Sequence, residues 1–274
     1  MRGTPTIKVK QRSSRAVARR PRNPARGTEA AASPTLAGRV SDYVGTLLGR
    51  AFSLLFVLAV PVFLLSLSLT WAFNDLRLYR YGFEKYDVSV TTGMELSELM
   101  RAARQVRGYF NSFEEPLVVR AVAFGEEREI FSQREVLHMR DVKRMVWGVY
   151  GALAVSGLYL VGFTARGLGR NGRAFGGRVA RLAALGSVVT AGAVALAGLA
   201  TLLMFDTLFL LFHRLSFAND FWQLDPYRDY LVMMFPQGFW FDATLFVGLA
   251  SLVMGLVISA LSWAYLAWER RRWG

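Results

Sequence analysis

Four stretches of this chain, Ala51–Phe73, Met145–Ala165, Leu182–Phe205 and Ala243–Trp268, are dominated by apolar residues and contain no Lys, Arg, Asp or Glu. Each reaches the roughly 20 residues that a helix needs to cross the hydrocarbon core of a bilayer. The expected fold class is therefore an all-α membrane protein. Four transmembrane helices would carry a small α+β extracytoplasmic cap made from the segment between the first two runs.

The charges between the runs set an orientation. Residues 1–50 hold 11 Lys/Arg against 2 acids, and Arg166–Arg181 holds 5 against none. Glu269–Gly274 holds 3 against 1, whereas Asn74–Arg144 is balanced at 12 against 12 and Asp206–Asp242 is acidic at 2 against 5. Basic segments beside spans stay in the cytoplasm. The expectation is a multi-pass cell-membrane protein with both termini inside. Its membrane domain would cover residues 47–268, with the cap at 74–144, a second extracytoplasmic loop at 206–242 and a cytoplasmic end at 269–274.

Residues 1–46 are basic and hold few large apolar side chains, so they read as a disordered cytoplasmic tail that cannot bury enough surface to order itself. Pro21, Pro24 and Pro34 interrupt any amphipathic transit helix there. The first apolar run is too long for a signal peptide and lacks a small-residue cleavage site after it. Pro61 within it should kink or loosen the helix. The net charge of +13 is thus spent on topology and on contact with anionic lipid, not on a nucleic-acid footprint. Cysteine is absent, which excludes disulfides, a thiol nucleophile and Cys-based zinc sites.

Within the first outer segment, Leu96, Leu99, Met100, Ala103, Val106 and Phe110 fall at helical spacing over Met94–Phe110. Leu117–Ala123 and Arg128–Phe131, joined through Phe124-Gly125-Glu126-Glu127, read as a β-hairpin. Two strands alone are marginal, so they should lean on that helix or on the membrane. Ser132-Gln133-Arg134-Glu135 has the form of a capping box. The helix it starts can run unbroken through Lys143 and Trp147 into the second span.

The chain has two histidines, His138 and His213, and the charge count puts both on the outer side. Glu135, His138 and Asp141 are spaced three apart and share a helical face. A straight helix from Arg181 would carry His213 about 48 Å away, beyond the ~40–45 Å of a whole bilayer. The third helix must therefore tilt, break or turn near Asp206. Asp206 and His213 lie two turns apart on one face, and a carboxylate in so apolar a stretch is a functional candidate by default. The loop after it, Phe217 to Phe241, interleaves aromatic anchors with Asn219, Asp220 and Arg228.

No metal-ligand spacing, Gly-x-Ser-x-Gly elbow, P-loop or dinucleotide fingerprint occurs, so no metal or cofactor is expected. What remains is acid–base chemistry by histidine at the outer lipid surface. The rival class is a non-enzymatic membrane protein that binds a lipid or a partner there; replacing either histidine by alanine separates the two.

Two motifs carry a resemblance. Arg134-Glu135-Val136-Leu137-His138-Met139-Arg140-Asp141-Val142-Lys143 leads into the second span. Phe217-Ala218-Asn219-Asp220-Phe221-Trp222-Gln223-Leu224-Asp225-Pro226, followed by Met234-Phe235-Pro236, precedes the fourth. Over about residues 50–265 the chain resembles a family of bacterial four-span integral membrane proteins that includes the lipoprotein intramolecular transacylase. The resemblance implies transfer of the sn-2 acyl chain of a diacylglyceryl lipoprotein to its own N-terminal cysteine amine, giving a lyso-form lipoprotein. The partners would be that lipoprotein and membrane phospholipid. It also implies that His138 and His213 are the catalytic pair. The assignment that follows makes His138 the general base, held in one tautomer by Glu135 or Asp141. His213 would stabilise the oxyanion or protonate the glycerol oxygen, supported by Asp206 or Arg228.

Overall fold

The computed structural model describes residues 1, 3 and 36–273; of the tail 1–46 expected to be disordered, residues 2 and 4–35 lie outside the described residues, and Leu36–Thr46 is helical. The chain divides into a unit ending at Thr46, of which Leu36–Thr46 forms the first turns of a helix, and a unit from Leu47 to Gly274. All that follows concerns the second unit.

The protein is mostly helical. Helix α1 (Leu36–Asn74) continues through Pro61. Three helical stretches, Tyr43–Asn74, Gln133–Ser216 and Gln237–Arg272, are long and apolar enough to cross a membrane. The middle one comprises α5 (Gln133–Asn171), a 3-10 turn (Gly172–Phe175) and α6 (Gly176–Ser216). From His138 to Asn171, α5 runs about 50 Å, yet the His138 and His213 rings meet, so the chain reverses at the 3-10 turn. Phe175 folds back there onto Gly167, where a Cβ would have no room.

The long helices pack through aromatic rings and small side chains. Phe56 of α1 meets Phe163 of α5 at 4.9 Å, and Phe163 meets Phe175 at 5.5 Å. Gly186 of α6 lets the helix backbone approach Val60. A buried Ser68–Ser251 hydrogen bond of 2.8 Å joins α1 to α8 (Gln237–Trp273), the kind of close polar contact that holds apolar helices together where no hydrophobic force does.

Between α1 and α5 the chain folds into a compact lobe of α2 (Leu76–Lys85), α3 (Val88–Thr92), α4 (Leu96–Phe110), β1 (Arg120–Ala123) and β2 (Glu126–Glu129). As the spacing predicts, α4 buries Leu99, Met100, Ala103, Val106 and Phe110. The antiparallel hairpin leans on α4: Ala121 and Ala123 are buried, Gln105 exchanges two hydrogen bonds with the Arg120 backbone, and Glu98 accepts from the Val122 N–H at 2.8 Å. The strands are shorter than expected and the turn is tighter. Phe124 and Gly125 both take positive φ, +52° and +82°, the twist that a two-residue hairpin turn requires. The core of the lobe continues into Met139 and Val146 of α5, into Met234 of α7 (Tyr230–Met234), and into Phe235 and Phe239. The lobe is thereby fixed to the N-terminal ends of α5 and α8.

Candidate active site: two histidines in an aromatic box

Ser132 opens α5 with the reciprocal cap that its sequence foretells. Its Oγ accepts from the Glu135 N–H at 3.4 Å, and the Glu135 carboxylate accepts from the Ser132 N–H at 2.6 Å. That cap fixes the phase of the first turns and places Arg134, His138 and Asp141 along one side of the helix. On α6 the break expected near Asp206 falls at Met204, whose φ −150° and ψ 38° are not helical. Beyond it a separate helical segment carries Asp206, Phe209 and His213.

Three hydrogen bonds bring the segment after α6 against α5. Asn219 Nδ2 donates to Asp141 Oδ2 at 2.8 Å, Arg134 Nη2 donates to the Asp220 carbonyl at 2.7 Å, and the Leu231 N–H donates to Glu135 Oε1 at 2.6 Å. The two imidazoles then face each other with centroids 6.2 Å apart and planes inclined by 30°. Phe209, Phe212, Phe217 and Trp222 surround His213 at 4.4 to 5.6 Å, and Phe217 also meets His138 edge-on at 5.0 Å.

The two rings differ in their partners. His213 Nδ1 lies 2.7 Å from the Phe209 carbonyl oxygen. A carbonyl only accepts, so in the neutral ring Nδ1 carries the proton and Nε2 holds the lone pair. His138 is 7 % exposed, and its Nδ1 is buried without a partner among the described residues. Both rings lie beyond the ends of their apolar runs. Burial, then the neighbouring His213, pushes the His138 pKa down to about 4, against a smaller upward pull from Asp141. Burial also lowers His213, opposed by the Phe209 carbonyl. Both shifts run toward the uncharged imidazole.

The tautomer-fixing contact expected from Glu135 or Asp141 to His138 is not made. The 1 %-exposed Glu135 spends its carboxylate on two backbone N–H groups. Asp141 is shared between Asn219 and Arg144, the latter at 2.9 Å. Asp206 accepts from Gln237 Nε2 at 2.8 Å, at the first turn past the break. Asn219 folds its Oδ1 onto the Phe221 N–H at 3.1 Å, and Asp220 accepts from Gln223 at 2.9 Å. Arg228 is exposed and pairs loosely with Asp225 at 3.8 Å. Of the expected set, then, the structure joins the two histidines directly; it makes Glu135, Asp141, Asn219 and Asp220 the framework around them. Sequence reasoning missed the Phe209 carbonyl, Gln237 and the role of Arg134. Only the first had a readable signal, its position four residues before His213 on a helix.

These features define a multi-pass integral membrane protein with a paired-imidazole site beside its compact lobe. The profile of the lipoprotein intramolecular transacylase Lit family matches residues 54–240, and the chain belongs to that family. An uncharacterised protein of Aquifex aeolicus is 25 % identical over 216 residues, which cover 76 % of this chain and 92 % of that protein. The solved structure of the lipoprotein intramolecular transacylase Lit from Bacillus cereus superposes with a TM-score of 0.70 at 20 % identity, covering 83 % of this chain and 99 % of that one. A variant of the same protein with one histidine replaced by arginine gives a TM-score of 0.69, also at 20 % identity, over 86 % and 99 %. At this identity the structural likeness speaks for the fold.

Proposed function

We propose that this protein transfers the sn-2 acyl chain of a diacylglyceryl lipoprotein to the α-amine of the same N-terminal cysteine at the outer face of the membrane. The observation that carries the reading is the facing pair of neutral imidazoles, one with its lone pair fixed on Nε2. His213 Nε2 is the general base, taking a proton from the amine as its nitrogen attacks the ester carbonyl carbon. His138 is the neutral donor, bonding the developing oxyanion and then the departing glycerol oxygen. This exchanges the roles that sequence reasoning assigned, because the Phe209 carbonyl orients His213 whereas His138 Nδ1 has no hydrogen-bond partner among the described residues. The N–C bond forms, the C–O ester bond breaks, and the proton lost by the amine is balanced by the one gained at the sn-2 hydroxyl. No acyl-enzyme is required: attacking and leaving groups share one substrate, so positioning supplies much of the rate. The distance between the rings suits a single reacting centre reached by hydrogen bonds from both sides. Mass spectrometry of lipoprotein N-termini from cells with and without the protein tests the reaction; N-acylated, sn-2-free termini should appear only with it.

Four crossings follow from the same reading. The reversal at Gly172–Phe175 sits in the basic segment, so α5 and α6 each cross once, and the lobe becomes the extracytoplasmic cap. Reporter fusions after Glu127 and after Tyr227 should report outside, and a fusion after Gly172 inside. A cytoplasmic signal at Glu127 would invert the orientation and remove the outer-leaflet chemistry.

The lowered histidine pKa values give a pH signature. A base with a depressed pKa stays in its active neutral form until the pH falls below that value. The neutral amine is the nucleophile, so kcat/KM should rise with pH to a plateau above pH ~8, where the substrate α-amino group titrates, and the imidazole should add no second step near neutrality. A second acid step near pH ~6.5, in addition to the one from the amine, would contradict a buried imidazole base.

A further inference from the structure

An open groove of about 620 Å³ is lined by Ser132, Gln133, Arg134, Leu137, Asp220 and Phe221, with Leu137 next to His138 in the chain. It is walled by the first turn of α5 on one side and by the loop that follows α6 on the other. Its floor is apolar, through Leu137 and Phe221, and its rim carries both signs of charge. Arg134 uses Nη2 on the Asp220 carbonyl, and its other nitrogens have no partner among the described residues. Asp220 uses Oδ1 on Gln223, and its Oδ2 has no partner among the described residues. Spare donors and a spare acceptor facing one trench match a polypeptide backbone, which needs both. They match a phosphate poorly, because the Asp220 carboxylate would oppose it.

On the acyl-transfer reading above, on which this inference rests, the lipidated cysteine reacts between the histidines while the rest of its chain must leave away from the membrane. Arg134 stands one helical turn, about 6 Å, outward of His138. An extended chain covers that distance in about two residues. We propose that this groove binds the peptide that follows the lipidated cysteine, with Arg134 and Asp220 engaging the second and third residues after it. Arg134 is a positioning residue that acts on substrate affinity rather than on the acyl-transfer step.

The test uses the full chain in detergent with two synthetic substrates, diacylglyceryl-cysteine amide and the same lipid on a four-residue peptide amide. Wild-type protein should show a KM about five- to tenfold lower for the longer substrate, the worth of one or two net hydrogen bonds. Arg134→Gln should raise the KM of the longer substrate to that of the shorter one while its kcat stays within about twofold. Equal KM for the two substrates in the wild type overturns the groove. A variant that loses kcat on both lengths alike does so too, because Arg134 then serves only to hold the loop. Turnover of neither substrate overturns the acyl-transfer reading itself, and this inference with it.

Discussion

Replacing His213 by alanine should reduce lyso-lipoprotein formation by about 10²–10⁴, the usual cost of losing a general base, while the protein still inserts and binds lipid. The imidazole contributes a lone pair at Nε2, whereas Phe209, Phe212, Phe217 and Trp222 around it offer only ring faces and an indole N–H. His138→Ala should fall in the same range, because it removes the donor aimed at the developing charge. Glutamine separates the two roles. A side-chain amide donates a hydrogen bond but cannot take a proton at neutral pH, so His138→Gln should retain more activity than His138→Ala, whereas His213→Gln should be as inactive as His213→Ala. The inverse pattern would restore His138 as the base. Wild-type conversion by the double alanine variant would end the enzymatic reading altogether.

Glu135→Ala should destabilise the fold by about 3 kcal/mol. The 1 %-exposed carboxylate accepts from the Ser132 and Leu231 N–H groups, each at 2.6 Å, and a buried donor left unpaired costs roughly 1–3 kcal/mol. Both losses strike the joint between α5 and α7, so the melting temperature should fall and the histidine pair should separate. Glu135→Gln keeps one accepting oxygen but turns an amide N–H towards the other donor, and should lie between alanine and wild type. A melting temperature unchanged in Glu135→Ala would mean that this joint does not hold these segments together.

The parts of the fold that depend on local pattern were readable in the residues. The capping box at Ser132, the apolar face of α4 and the break near Asp206 each follow from spacing or from a length that does not fit a bilayer. The site was readable as a pair of residues but not as a mechanism. Glu135 and Asp141 share a face with His138, which invites a carboxylate–imidazole contact. Their oxygens are instead taken by the Leu231 N–H and the Asn219 amide, which come from a segment about 80 to 95 residues away. The group that does orient an imidazole is the Phe209 carbonyl, and a backbone oxygen leaves no mark on side-chain identity. The hairpin erred for a related reason. Phenylalanine is not a residue that announces a positive φ, yet Phe124 adopts one because tertiary contact requires it: its N–H reaches the Gly93 carbonyl at 2.9 Å, and its ring packs where a side chain at Gly93 would sit.

The break at Met204 bears on how the protein meets bilayers of different thickness. A continuous rod tilts when its apolar length and the membrane disagree, and anything mounted on its far end swings with it. Here the continuous part of α6 ends before Asp206, and the segment that carries His213 is tied through Asn219, Asp220 and Leu231 to α5. Thinning or thickening of the lipid should then be taken up in the continuous part of α6. The spacing of the two imidazoles, set by bonds between protein segments, should stay the same from one bilayer to another.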